Sequence, residues 1–172
     1  MFLNFLKDFF VKRKLKKKLQ SSKSSALDKK IQTVGLLIDE SYFFQKEQLI
    51  AALIANGFLE KNITTIVYRD KFKKKESYAQ PTFGPNQLQW NAQISDAVVT
   101  DFVATKFDLL VSYYDIEKAI LLLITLQSQA DFKVGFSAID NRLNHFMITT
   151  NAESFGVFVS ELFRYLKILN KI

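Results

Sequence analysis

Acidic, hydroxyl and phenolic side chains gather directly after short apolar runs in this chain. Asp39, Glu40, Ser41 and Tyr42 follow the run 33–38. Tyr113, Tyr114 and Asp115 follow 107–112, and Ser137 and Asp140 follow 132–136. If these runs are parallel strands, all of these residues lie at the carboxyl edge of one sheet, where open α/β sheets bind ligands. The candidate ligand-binding set is therefore Asp39, Ser41, Tyr113, Asp115 and Ser137. Asp39 and Asp115, if they face each other, could hold a divalent metal or share a proton. The structural alternative is that Asp and Ser after a strand cap the next helix.

Beyond this set no catalytic motif emerges. The chain has no Cys, so disulfides, thiolate metal sites and Cys nucleophiles are excluded. A single His, His145, rules out a multi-His metal site and supports no Ser-His-Asp triad without geometry. The five glycines (35, 57, 84, 135 and 156) form neither a GxGxxG turn nor a phosphate loop. No catalytic residue, metal site or cofactor is expected, and an enzyme acting at the strand ends is a secondary reading.

The elements that must position these residues alternate. The apolar run 33–38 reads as a buried strand. Residues 43–56 have helical spacing through Phe44, Leu49 and Leu53 and stop at Gly57. Strand-like runs follow at 63–68, 107–112, 132–136 and 146–149, with 82–83 and 88–90 as a possible edge strand. Helices are predicted at 95–104 with Ser95 as cap, and at 116–127, apolar on nearly every side. The last starts at Thr150-Asn151-Ala152-Glu153, which has capping-box spacing, and carries the stripe Phe155, Phe158, Val159, Leu162, Leu166 and Leu169. Gly35 and Gly135 inside strands suggest close backbone approach. The pattern predicts an α/β fold, a mainly parallel Rossmann-like or flavodoxin-like three-layer sandwich, over residues 29–172.

Charge divides the chain into two parts. The net charge is +7, yet residues 1–30 hold ten Lys or Arg against Asp8 and Asp28, a balance of +8. The remainder holds 14 basic and 15 acidic side chains, a balance of −1. On a helical wheel Phe2, Leu3, Phe5, Leu6, Phe9 and Phe10 share one arc of about 160°. Lys12, Arg13, Lys14, Lys16, Lys17 and Lys18 follow, then a Ser-rich linker at 21–25. Residues 1–28 thus read as a basic amphipathic arm and linker. Three readings stay open for it. In the first, Phe2, Phe5, Leu6, Phe9 and Phe10 insert into a membrane while the basic cluster meets an anionic surface. In the second, the lysines bind RNA or a ribosome. In the third, the helix docks on its own domain or a protein partner. Lys71, Lys73, Lys74 and Lys75 form a second basic stretch that could extend an anion-binding face or be a solvated loop.

No apolar run reaches the ~18–20 residues of a membrane span. The apolar segment also precedes the charges, the reverse of a secretory signal. A cytoplasmic protein is expected, peripheral on the inner membrane in the tethered reading.

The 107–111 strand FDLLV, the apolar helix and the 130–136 segment ADFKVGF together resemble a stretch in the N-terminal lobe of heptosyltransferase-like GT-B glycosyltransferases. The chain has the length of one such lobe, so this resemblance implies the fold and no transferase activity. Over its whole length the chain resembles an uncharacterised family of flavobacterial and other Bacteroidota proteins. The likeness lies in the basic Phe-rich start, VGLLIDES, FDLL, DFKVGF and RLNHFMI. It implies a cytoplasmic α/β domain of unknown function. The expected role is a non-catalytic binding or adaptor protein tethered to an anionic membrane surface, with an RNA- or ribosome-associated factor as the alternative.

Overall fold

In the computed structural model, which describes residues 30–72 and 77–172, the apolar runs assemble into one parallel sheet. Its strands are β1 (Val34–Asp39), β2 (Ile63–Tyr68), β3 (Thr82–Phe83), β4 (Leu109–Tyr113), β5 (Phe132–Phe136) and β6 (Phe146–Ile148). They lie in the order β3-β2-β1-β4-β5-β6, and every pairing is parallel. This is the doubly wound, Rossmann-like order. The α-helices among the described residues are α1 (Lys46–Ala55), α2 (Ala97–Ala104), α3 (Ala119–Gln127) and α4 (Phe155–Ile168). The arm, with Phe2, Phe5, Leu6, Phe9, Phe10 and the basic cluster Lys12–Lys18, lies outside the described residues, as do Lys73, Lys74 and Lys75.

β1 and β4 take the centre of the sheet because every residue in both is buried. Strands covered on both faces read as unbroken apolar runs, which is how both appear in the sequence. Side chains alternate across the sheet. Tyr113 packs on Phe43, Phe136 and Phe158 with ring centroids 4.7, 5.0 and 5.0 Å away. Its neighbour Ser112 points the other way and meets Thr125 of α3 at 3.1 Å. α1 and α4 thus cover one face and α2 and α3 the other. α3 is buried at every position from Ile120 to Leu126. Each Leu or Ile buried there contributes roughly 1.5–3 kcal/mol. The hydroxyls of Tyr114, Thr125 and Ser112 satisfy one another beneath it.

At the amino edge Asp108 ties β1 to β4. Its Oδ2 accepts from the backbone of Gln32 and Thr33, both at 2.9 Å, and from the Thr33 hydroxyl at 3.1 Å. The Thr33 hydroxyl in turn accepts from the Asp108 backbone at 3.0 Å. In β5, a side chain at Gly135 would meet Asn144 Nδ2 at 2.6 Å, so the bare strand admits the segment that leads into β6.

Several local expectations differ. α2 is capped by Asp96, whose Oδ1 accepts from Val99 N at 3.0 Å, whereas Ser95 turns back to Gln87 O. The Thr150–Glu153 capping box does not form. Asn151 Oδ1 accepts from Ser154 N, and α4 begins at Phe155. Leu169 lies past its last turn and is exposed. Phe44 is also exposed, because α1 starts only at Lys46. α3 starts at Ala119 rather than Ile116, since Asp115 bonds Ala152 N instead of opening the helix.

Residues 88–94 supply no edge strand. Leu88 bridges Ile94 in antiparallel fashion across a tight hairpin. Gln89 N donates to Gln93 O at 2.8 Å, and Ala92 N donates to Gln89 O at 3.0 Å. Ala92 then adopts φ 58°, in the left-handed region where such hairpins favour Gly. Holding an L-residue there costs about 1–2 kcal/mol.

Candidate functional site at the carboxyl edge of the sheet

The parallel register sets Asp39 beside Tyr68, which brings the loops after β1 and β2 together. Lys118 reaches them from the N-cap position of α3. A cation is disfavoured at a helix N-terminus, so carboxylates must hold it there. Its Nζ lies 2.7 Å from Asp39 Oδ2, 2.9 Å from Asp70 Oδ2 and 3.0 Å from Ser41 Oγ. The rings of Tyr68 and Tyr42 lie 4.6 and 5.1 Å away, within cation–π range. Ser41 N donates to Asp39 Oδ1, Asp70 N donates to Ser41 Oγ, and the Tyr68 hydroxyl donates to Asp70 Oδ1.

A second unit adjoins the first. Glu40 takes Lys46 Nζ on Oε1 at 2.6 Å. Its Oε2 takes Arg69, with Nε at 2.7 Å and a terminal guanidinium nitrogen at 2.6 Å. Asp39, Glu40 and Asp70 are therefore matched by Lys46, Arg69 and Lys118. The Asp39 and Glu40 side chains are each only 6% exposed. Bringing these charges out of water offsets much of their attraction, so the intact network adds little net stability. Removing one partner costs several kcal/mol, because the other is left buried and unpaired.

The protonation states follow from the same contacts. Burial opposes the Asp70 carboxylate, but hydrogen bonds from Lys118 and Tyr68 outweigh it and hold its pKa below the ordinary carboxylate value. Burial likewise opposes the charge on Lys46, and Glu40 reverses that and raises its pKa. Burial, reinforced by the hydrogen bond to Asp70, pushes the Tyr68 phenol upward. Burial raises Tyr113 and Tyr114 as well. All three phenols stay protonated at neutral pH.

The sequence candidates separate into distinct environments. Asp39 and Ser41 join the Lys118 network. Tyr113 and Asp115 together clasp Ala152, on the way into α4. The Tyr113 hydroxyl donates to Ala152 O at 2.7 Å, and Ala152 N donates to Asp115 Oδ2 at 2.8 Å. Asp39 and Asp115 thus have different partners. Ser137 is exposed, and its backbone N–H extends the β5–β6 pairing to Ile148 O at 3.0 Å. Asp140 binds Arg142 and accepts nothing from the network. Among the described residues no group of three or more His, Asp or Glu is arranged to hold a metal ion.

Sequence reasoning missed Lys118, Asp70, Arg69 and Lys46. Three of these had a signal. The carboxyl-end rule applied to β2 would have selected Arg69 and Asp70. A lysine directly before a wholly apolar helix, at the wrong end of its dipole, marks Lys118 as a held cation.

The chain belongs to a family of unknown function, DUF6913, whose model matches residues 7–169. No curated protein and no solved structure matches it. No helix among the described residues is long and apolar enough to cross a membrane. The family match spans the strand-end network, the Ala152 clasp and most of the basic arm, so both charged regions fall within the family domain.

Proposed function

We propose that this protein is a non-catalytic binding module, held on the cytoplasmic face of an anionic membrane by residues 1–28. The observation that carries this reading is the charge split: +8 in the first 30 residues, −1 in the rest, with six large apolar side chains preceding the basic cluster. Phe2, Phe5, Leu6, Phe9 and Phe10 would enter the interface, and Lys12, Arg13, Lys14, Lys16, Lys17 and Lys18 would face the headgroups. At about 1 kcal/mol per basic residue near such a surface, attachment would be reversible and salt-sensitive. RNA binding through the same lysines needs no run of six apolar groups beside them, which is why the membrane is preferred.

The non-catalytic part of the reading draws on the strand-end network, in which Asp39, Glu40 and Asp70 already have cations from the chain itself. The local likeness to a glycosyltransferase lobe is taken as fold alone. The likeness to flavobacterial and other Bacteroidota chains extends the family assignment in the same spirit.

Co-sedimentation with vesicles tests the tether. Full-length protein should pellet with phosphatidylcholine/phosphatidylglycerol vesicles and release as salt rises. Replacing Lys12, Arg13, Lys14, Lys16, Lys17 and Lys18 by Gln should abolish pelleting, as should deleting residues 1–28. Equal pelleting by all three proteins would sink the idea. Salt-sensitive association with ribosomes in place of vesicles would support the RNA reading.

A further inference from the structure

The two edges of the sheet differ in the charge they expose. At the amino edge the residues leading into β1, β2 and β4 meet the end of α4. Ile31 N donates to Lys171 O at 2.9 Å, and Lys30 Nζ donates to Asn170 Oδ1 at 3.3 Å and to Ile172 O at 2.8 Å. Lys30, Lys61, Lys106 and Lys167 are all exposed on this edge, against an exposed Glu60 and a half-buried Asp131 that lies 3.8 Å from Lys106. At the carboxyl edge Glu47, Glu117 and Glu153 are exposed against Lys71 and Arg142, and Asp140 holds Arg142. The near-neutral body is therefore polarised, with its excess cations on the amino edge.

The same edge carries exposed apolar side chains. Leu59, directly before the 3-10 turn that opens β2, is 56% exposed, and Ile168, the last residue of α4, is 65% exposed. The 88–94 hairpin shares a depression with Val103 and Gln127, in the last turns of α2 and α3, so the exposed Trp90 of its turn flanks this edge. Trp is favoured where apolar and aqueous phases meet. The basic arm joins the domain at Lys30, so this edge is the nearest along the chain to any surface that holds residues 1–28.

We propose that the amino edge of the sheet is a second contact with the anionic phospholipid surface. It fixes how the domain sits, with the amino edge toward the bilayer and the carboxyl edge away from it. The inference rests on the membrane tether proposed above and adds an orientation to it. The exposed lysines would add to the attraction of the arm, while Leu59 and Ile168 reach the interface beneath the headgroups. Tyr42 and Phe44 are also exposed at the carboxyl edge, but they share it with Glu47, Glu117 and Glu153, which an anionic surface repels.

Full-length protein labelled at one introduced cysteine tests it, because the chain has no Cys of its own. An environment-sensitive NBD probe is attached to Glu60→Cys at the amino edge or to Glu153→Cys at the carboxyl edge. Both positions are exposed, and both variants lose one acidic charge. With phosphatidylcholine/phosphatidylglycerol vesicles both proteins should pellet, and only the probe at position 60 should brighten and shift to the blue. In unlabelled full-length protein, Lys61→Gln with Lys167→Gln should weaken vesicle partition about tenfold, whereas Lys71→Gln, at the opposite edge, should leave it unchanged. Three results would overturn the orientation and leave the tether standing: pelleting with no response at position 60, an equal response at position 153, or partition unchanged in the double variant. Failure of both labelled proteins to pellet, whether or not ribosomes capture them, would overturn the tether and the orientation together.

Discussion

The carboxyl edge of the sheet and the hairpin depression are opposites in chemistry. At the edge, Asp39, Glu40 and Asp70 are charged, and each is answered by Lys118, Lys46 or Arg69. In the depression bounded by the 88–94 hairpin, α2 and the end of α3, the polar lining is neutral, from Gln89, Gln93, Gln127 and Thr100, and Gln89, Gln93 and Thr100 are exposed to solvent. The fold's customary crevice is therefore filled by the chain's own charges, while the glutamines of the hairpin face solvent. Strand order says where a ligand site can form. Whether the chain's own side chains already occupy it decides whether one does.

Removing the central cation should break this contrast most severely. Lys118→Met leaves the buried Asp39 and the neighbouring Asp70 without a counter-charge, for an expected loss of about 3 kcal/mol in urea unfolding. A loss below about 1 kcal/mol would mean that the edge is not a lock and that its carboxylates are free to serve a ligand. Glu40→Gln ranks next, at about 2 kcal/mol, because Arg69 is partly exposed and regains water when released, while the buried Lys46 keeps Glu47 at 3.3 Å.

Titration separates the edge from the rest of the molecule. Asp70 has a folded pKa depressed below its ordinary 3.8. Its contribution is present above that value and is lost as pH falls through the folded pKa, so an acid limb should appear below about pH 4 and vanish in Asp70→Asn. His145 acts at higher pH. Burial, with Lys133 and Lys171 nearby, lowers its pKa below 6.5, and its Nδ1 accepts from Lys133 N at 2.9 Å. The unfolded chain therefore binds a proton first, and stability should decline as pH falls from 6.5. His145→Asn should flatten that decline in pH-dependent denaturation.

The smallest effect is expected for the stability of Ala92→Gly. Relief of about 1–2 kcal/mol of backbone strain is offset by about 0.5–1 kcal/mol of added chain entropy in the unfolded state and about 0.8 kcal/mol for the lost methyl. Unfolding free energy should stay within about 1 kcal/mol of the parent, and a larger loss would make the buried methyl a packing requirement of the hairpin.

The fold was legible where burial alone decides the pattern. VGLLID and LLVSY are unbroken apolar runs because helices cover both faces of their strands, and residues 120–126 are apolar because α3 is buried all round. The site was half legible. Strand-end position picked out Asp39 and Ser41, but it grouped them with Tyr113 and Asp115, which clasp Ala152 instead. Helix starts were the weakest reading. Ser95 and Asp96 are both good caps, and only the geometry of the turn places Asp96 Oδ1 on Val99 N.

By itself the sequence determined the α/β alternation, the absence of thiol chemistry and the division into a basic arm and a near-neutral body. These properties follow from composition and from the local period of burial. Only the tertiary structure decided which charges meet: Lys118 finds Ser41 from 77 residues away and Asp70 from 48, and Asp115 finds Ala152 across 37. Such pairings depend on the order in which parallel strands lie side by side, and no local spacing encodes that order. The strained methyl of Ala92 belongs to the same class, since an alanine reveals its left-handed backbone only once the hairpin around it has closed.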